Sequence, residues 1–341
     1  MQTLAIVFAT ASGVTLGAML WLLWLAERFQ FYTQPNERST HRQPVPPVGG
    51  LAFAIGTLLA TAVWCPAVMG ALLPVLVPLV LLVLLGWVDD WRHLSPGQKL
   101  LGQLLAAGLL VSWAGLRIEH LEGIFGVGAL SGSASWALSV LSVVGIVNAF
   151  NFIDGIDGLA GVLGLWVCAA FGIWLYGTGE SDMALLAAAL AGGLSTFLYF
   201  NVAPARVFMG DAGAMFLGAA AAVLALTAIS ANHHLPEGHA WHIASGPALA
   251  VAVLFVPLFD VVRVFVVRMA RGRSPWRADR GHAHHVLLAR GLTAGQTTLV
   301  LMSCCMGMTT LVYWLQEWGN VTLLLLQGMV ALLASLRLTL P

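Results

Sequence analysis

The sequence predicts an all-α integral membrane protein, a single polytopic domain over residues 1–341 with about eleven transmembrane helices, the N-terminus outside and the C-terminus inside. Three observations carry that prediction. Hydrophobic residues make up 59% of the 341-residue chain and charged residues only 9%, with a mean hydropathy of +0.89; a soluble domain needs roughly 25% charged residues to cover its surface. Charge-free stretches recur at the length a bilayer demands. Lysine and arginine fall almost entirely on alternate connections between those stretches. The same composition excludes disordered, collagen-like and disulfide-scaffold chains.

In chain order the charge-free stretches run 1–26, 43–88, 100–116, 123–153, 158–179, 183–205, 212–236, 238–259, 291–316 and 318–336. A helix crossing hydrocarbon needs about 20 apolar residues, with a range of about 17–25. Nine stretches therefore hold one span each, and 43–88 holds two, turning near Cys65-Pro66. The first stretch has no basic segment ahead of it and no clear cleavage site before Glu27-Arg28, so it reads as a retained span. With eleven spans the connections alternate sides. One side receives Arg28, Arg38, Arg42, Arg92, Lys99, Arg206, Arg263, Arg268, Arg271, Arg273, Arg277, Arg280, Arg290 and Arg337; the other receives Arg117 alone. The first set is the cytoplasmic one. Most tryptophans fall near span ends and read as interfacial anchors. Cys65, Cys168, Cys304 and Cys305 lie in apolar spans and read as small buried hydrophobes.

The acids are as unevenly placed as the bases. The outer segments hold Glu119, Glu122, Glu180, Asp182, Glu237 and Glu317, with His120, His233, His234, His239 and His242, in no recognisable pattern. The inner face holds every aspartate except Asp182, and five stand in compact groups beside glycine or asparagine. Acids at a membrane edge are costly and mark function by default. Asp89-Asp90 close the third span; adjacent carboxylates repel unless a cation intervenes, and hard divalent cations prefer carboxylate oxygens beside substrate phosphates. Lys99, the only lysine, opens the fourth span. It reads either as a compact ammonium for a lipid phosphate or as an ordinary positive-inside lysine. Asn148, Asn151, Asp154 and Asp157 recur every three residues, so neighbouring members share a helix face, with glycines after each aspartate to allow close approach. A calcium loop would carry acids at every second residue and a closing Glu, and neither is present. Asp211, in Phe208-Met209-Gly210-Asp211-Ala212-Gly213, opens the eighth span. It reads as a helix N-cap or as a metal ligand bridging to a phosphate.

The longest cytoplasmic loop carries Arg268, Arg271, Arg273, Arg277 and Arg280, followed by Gly281-His282-Ala283-His284-His285. Its charge suits a polyphosphate or anionic headgroups. His282, His284 and His285 read better as phosphate hydrogen-bond donors than as a zinc site, whose usual spacing they lack. The first loop adds Pro35-Asn36-Glu37-Arg38-Ser39-Thr40-His41-Arg42 and Pro46-Pro47-Val48-Gly49-Gly50. Together these features point to magnesium-dependent chemistry on a phosphorylated substrate at the cytoplasmic membrane face. The rival class is a cation- or proton-coupled transporter, since acids in spans also mark ion paths. Against it, the acids sit at span ends on one face.

On these motifs the chain resembles the polyprenyl-phosphate N-acetylhexosamine-1-phosphate transferases, the family of phospho-MurNAc-pentapeptide translocase and of the UDP-GlcNAc:undecaprenyl-phosphate transferases. PNERSTHRQPVPPVGG, DDWRHLSPGQKLLGQ, NAFNFIDGIDGLAG, FMGDAG and GRSPWRADRGHAHH occur in the family's order and span almost the whole chain. The resemblance implies transfer of a sugar-1-phosphate from a UDP-N-acetylhexosamine to undecaprenyl phosphate, releasing UMP. It implies an active site built from the loops at 27–47, 89–99, 148–161, 202–213 and 268–295. Asp211 would be the principal magnesium ligand (manganese can stand in), with Asp89 and Asp90 near the metal and one of that pair orienting the attacking lipid phosphate. Lys99 would meet the lipid phosphate; Asn148, Asn151, Asp154 and Asp157 would line the nucleotide-sugar site; Arg277, His282, His284 and His285 would contact substrate phosphates. His-Ala-His-His followed by Val286-Leu287-Leu288 looks like the GlcNAc-type branch, with GlcNAc or a deoxy relative such as FucNAc or QuiNAc as the sugar. That branch opens O-antigen, common-antigen or teichoic-acid assembly in a bacterial inner membrane, with a periplasmic N-terminus. Membrane lipid is the expected surrounding partner, a homodimer is left open, and no nucleic acid is expected. One departure is Ala214, where the family often has Ser.

Overall fold

The computed structural model describes residues 1–32, 44–64, 69–270, 272 and 281–339. The expected turn at Cys65-Pro66, residues 33–43 of loop one and Arg277 with its neighbours at 271 and 273–280 lie outside the described residues. Within them the chain is all-α. No strand is present among the described residues, and an isolated β-bridge joins His120 to Ala129.

The helices are α1 (Gln2–Phe29), α2 (Gly49–Trp64), α3 (Met69–Arg92), α4 (Pro96–Ser112), α5 (Gly132–Ile153), α6 (Leu159–Thr178), α7 (Ser181–Asn201), α8 (Gly210–His234), α9 (Gly246–Val253), α10 (Phe255–Ala270), α11 (Ala283–Ala289), α12 (Ala294–Trp314) and α13 (Asn320–Thr339). Among the described residues eight are long and apolar enough to cross a membrane, and the bent pair α9–α10 makes up to nine. The other two expected stretches form α2 and α4, of 16 and 17 residues. Every charge-free stretch read from the sequence thus holds helix. The short α11 belongs to the histidine loop.

The stretch 238–259 differs from expectation. It is not one straight span: α9 stops at Val253 and α10 departs at 79°. Pro257 gives the cause, since its ring would clash with the carbonyl four residues back, at Val253, and it has no N–H to donate. Beyond the bend α10 runs through residues expected to lie in solvent. It turns Asp260, Arg263 and Arg268 inward, all buried, and Val262, Val266 and Met269 outward. That polarity is inverted relative to a soluble helix, as lipid outside the bundle requires.

Helix α8 is the hub. It is buried nearly all round, whereas α13 is hardly buried at all. It packs against α2, α3, α5 and α6, while α1, α2 and α7 form one flank and α9, α12 and α13 another. Its sequence explains the position: Gly213, Ala214, Gly218 and Ala219–Ala222 offer almost no side-chain bulk, so neighbouring backbones come close. A Cβ on Gly86 of α3 would lie 2.5 Å from backbone atoms of Asp211 and Ala212. That approach sets the end of α3 against the start of α8.

Candidate active site

Four helix ends meet at one end of the bundle, the last turns of α3 and α5 and the first turns of α4 and α8, with the start of α11 beside them. Helix α4 begins in a capping box. Ser95 accepts from the Gln98 N–H, the Gln98 side chain accepts from the Ser95 N–H, and Pro96 fills the first helical position. That fixes the turn carrying Lys99. The Lys99 ammonium forms an ion pair with Asp89 and a second with Asp211 Oδ2 at 3.3 Å. Asp89 is itself buried, its Oδ1 accepting the Leu94 N–H at 2.7 Å.

Asp90 does something else. Its two oxygens accept the N–H groups of Asp211 (2.7 Å) and Ala212 (3.1 Å), so α3 supplies the cap of α8. The N-cap position of α8 is Met209, which gives no side-chain bond. The reading of Asp211 as an N-cap is therefore corrected: Asp90 caps, and the Asp211 carboxylate turns to Lys99 and to the Asn151 amide, which donates to Asp211 Oδ1. The described end of loop one joins here too. Phe208 N donates to the Pro46 carbonyl at 3.0 Å, while Gly49 N and Gly50 N donate to the Phe208 and Met209 carbonyls, each at 2.9 Å. Ala214 packs in the hydrophobic core, so the departure from Ser falls there.

The row Asn148, Asn151, Asp154 and Asp157 does not share one helix. Helix α5 ends at Ile153, Asp154 is its C-cap, and Gly158 adopts φ 80° to start α6. Asn148 and Asn151 alone sit on α5. The Asn148 amide donates to Gln103 Oε1 at 2.8 Å, and Asp157 Oδ2 accepts the Ala205 N–H at 3.1 Å. Asn201 stitches the same turn, accepting from Gly158 N and donating to the Val207 carbonyl, each at 2.9 Å. Burial pushes the Asp154 carboxyl up to about 8, with the negative charges of Asp211, Asp90 and Asp157 adding to the shift.

The histidines stand against this turn. The His282 ring lies 5.6 Å from the Phe152 ring, and a Cβ on Gly155 would collide with the His284 ring. The three rings do not close on a common point: His282 Nδ1 is held by Asp260 at 2.7 Å, and His284 is buried with neither ring nitrogen hydrogen-bonded. Burial pushes the His284 imidazole down to about 3, with His285 the next cause, so it is neutral at pH 7. The structure supports no zinc site in that trio.

A cavity of about 400 Å³ opens between Leu94, Pro96, Lys99, Gln103, Asn148 and Phe152. Its lining combines the Lys99 ammonium and the Gln103, Asn148 and Asn151 amides with apolar Leu94, Pro96, Leu100 and Phe152. Asp89, Asp90, Lys99, Asn151 and Asp211 form one continuous network, with Asn148, Asp154, Asp157, His282 and His284 around it. Among the described residues no group of three or more His, Cys, Asp or Glu is spaced to hold a metal ion as the side chains lie; the Lys99 ammonium stands between two of the carboxylates. On the far side of the bundle the outer residues also pair, the His120 ring stacking on His233 at 3.8 Å.

Sequence reasoning missed Gln103, Asp260 and Arg263. Gln103 was findable, lying one turn past Lys99 on the same helix face. Asp260 and Arg263 share an i, i+3 spacing that only the inward turn of α10 makes meaningful.

Residues 72–229 match the family described as glycosyl transferase family 4. The chain is 36% identical over 328 residues to a decaprenyl-phosphate N-acetylglucosaminephosphotransferase of Mycolicibacterium smegmatis, covering 88% of this chain and 79% of that one. It is 31% identical over 319 residues to an undecaprenyl-phosphate alpha-N-acetylglucosaminyl 1-phosphate transferase of Haemophilus influenzae, covering 89% and 87%. A probable undecaprenyl-phosphate N-acetylglucosaminyl 1-phosphate transferase of Bacillus subtilis is 31% identical over 272 residues, covering 79% and 72%. With the motifs in order and these likenesses running along most of its length, the chain belongs to glycosyl transferase family 4, among the polyprenyl-phosphate N-acetylhexosamine-1-phosphate transferases.

Proposed function

We propose that the protein transfers N-acetylhexosamine-1-phosphate from a UDP-sugar to undecaprenyl phosphate at the cytoplasmic face of a bacterial inner membrane. One observation carries the reading: Asp89, Lys99, Asn151 and Asp211, from four different helices, meet in one network beside a half-apolar cavity. GlcNAc is the favoured sugar, because the relatives above are named for it. FucNAc and QuiNAc are the alternatives, and the product opens assembly of a cell-surface polysaccharide such as O-antigen. Arginine placement supports a cytoplasmic side for the network and a periplasmic N-terminus.

The reaction joins a lipid-phosphate oxygen to the sugar-bearing phosphorus and breaks that phosphorus's bond to UMP. One pyrophosphate link replaces another, so the equilibrium is near balance. Such transfers depend on positioning and charge neutralisation more than on covalent chemistry. Lys99 meets the lipid phosphate while the prenyl chain runs along the apolar residues of the cavity. Asn151 orients Asp211, and Asp90 holds the α8 start on which Asp211 sits. His282 and His284 border the nucleotide-sugar side. The donor set suits a hard divalent cation in its chemistry: Asp89 and Asp211 present carboxylate oxygens on either side of the Lys99 ammonium, and Asp90 lies beside them at the start of α8. Asp211 and Asp89 would hold magnesium, with Asp90 beside them, and the ion would supply charge neutralisation at the transferring phosphate. The family membership supports this enzyme over a transporter.

The test is UMP release by purified protein with undecaprenyl phosphate and magnesium, comparing UDP-GlcNAc with UDP-FucNAc. Release should need both lipid and metal, and Asp211→Asn should abolish it in protein that still folds. Lipid-independent release, or full turnover by Asp211→Asn, would overturn the assignment.

A further inference from the structure

Buried on α10, away from the aspartate network, lies a second polar cluster. Asp260 is 1% exposed and Arg263 6% exposed. The Asp260 carboxylate accepts three hydrogen bonds besides any to solvent. Oδ2 takes one from His282 Nδ1 at 2.7 Å, and Oδ1 takes one from the Ala283 N–H at 2.7 Å and one from Arg263 Nη2 at 3.0 Å. Arg263 also donates to the Gly281 carbonyl. One ion pair thus grips three consecutive residues, 281 to 283, and caps the first turn of α11, which has no cap of its own.

Stability is a poor reason for this arrangement. A buried carboxylate–guanidinium pair loses hydration that its mutual attraction barely offsets. What it does supply is orientation. With Nδ1 committed to Asp260, the His282 ring has one nitrogen, Nε2, left to meet a ligand, and the ring plane is set by that bond and by Phe152 beside it. Phe152 follows Asn151, whose amide holds Asp211. The backbone N–H bond of Ala283 fixes where His284 and His285 begin.

We infer that Asp260, clamped by Arg263, is a positioning residue that aims His282 at the phosphates of the nucleotide sugar. The inference rests on the transferase reading above. It acts on one substrate, because in that reading the lipid phosphate is met by Lys99 of α4 and not by His282.

The experiment measures KM for each substrate in Asp260→Asn, His282→Ala and the double variant, by UMP release. Asn keeps the volume and one acceptor oxygen but cannot accept from both His282 and Ala283. Expected are a KM for the UDP-sugar raised about tenfold or more, in line with a lost hydrogen bond to a charged group, a KM for undecaprenyl phosphate within about twofold of wild type, and a double variant no worse than His282→Ala alone. Equal effects on both KM values, or penalties that add in the double variant, would reduce Asp260 to a structural role and overturn the inference. Should Asp260→Asn not accumulate in membranes, Arg263→Lys tests the same clamp, because an ammonium cannot hold Asp260 and the Gly281 carbonyl in one plane. Its UDP-sugar KM should rise severalfold, and an unchanged value overturns the inference. Inactive wild type would instead sink the transferase reading itself.

Discussion

Gly86 is the position where one methyl group should separate folding from function. A Cβ there would lie 2.5 Å from the Ala212 Cα and N and from the Asp211 carbonyl carbon. Carbon atoms in contact stand about 3.5–4.0 Å apart, so Gly86→Ala must part α3 and α8 by about 1 Å. No side chain can rotate to relieve it, because the atoms met are backbone. Asp89 and Asp90 follow Gly86 by one helical turn on the same face, so the parting acts on the bonds from Asp90 to the α8 N-terminus. Lengthening the 2.7 Å bond at Asp211 N by about 1 Å takes it beyond hydrogen-bond range. Overpacking of this kind costs about 1–3 kcal/mol, which a bundle with thirteen α-helices among its described residues survives. A 1 Å misplacement of reacting groups costs about 10²-fold in rate. Gly86→Ala should therefore elute as a single folded species in detergent, with UMP release lowered about 100-fold. Wild-type turnover from that variant would refute the claim that this helix contact sets the site.

Three further outcomes follow from the same geometry. Asp90→Ala removes the acceptor for two N–H groups of α8 and should cost about 0.5–2 kcal/mol in a thermal-shift assay, with Asp90→Asn, which keeps one acceptor, losing less; the reverse order would exclude a capping role. Lys99→Ala should raise the KM for undecaprenyl phosphate more than that for UDP-sugar, and the opposite split would move Lys99 to the nucleotide side. His284, with its imidazole pushed down to about 3 from an ordinary 6.5, binds its proton more weakly when folded. Its contribution to stability is present above about pH 6.5 and is lost as the pH falls toward 3, by roughly 2 kcal/mol at pH 5. His284→Gln should flatten that acid-side decline in unfolding temperature, and an unaltered slope would assign the decline to other groups.

Much of this architecture was legible because lipid is a strict solvent. The charge-free stretches had to hold helices, and among the described residues each does. The aspartates at 89, 90 and 211 stood out because an unneeded acid at a membrane edge is costly. What stayed hidden depended on direction, which spacing does not encode. Asn148 through Asp157 read as one face because periodicity cannot see that Asp154 ends the helix. Asp90 and Asp211 read alike as acids at helix ends, yet one caps and the other is capped. Asp260 and Arg263 read as part of a wet flank because α10 turns its polar side inward only after the Pro257 bend.

The length of α4 carries a consequence for the bilayer itself. At 1.5 Å per residue, its 17 residues rise only about 26 Å, several ångströms short of a hydrocarbon core of about 30 Å. Lipids beside α4 must thin to match it, at a modest cost for each ångström of mismatch. Thinning there draws the headgroup plane down toward Lys99, shortening the climb for a phosphate whose long tail stays in the membrane. The surrounding acyl chains then become a rate-setting variable: thick bilayers should slow the enzyme and thin ones favour it, with no change in any residue.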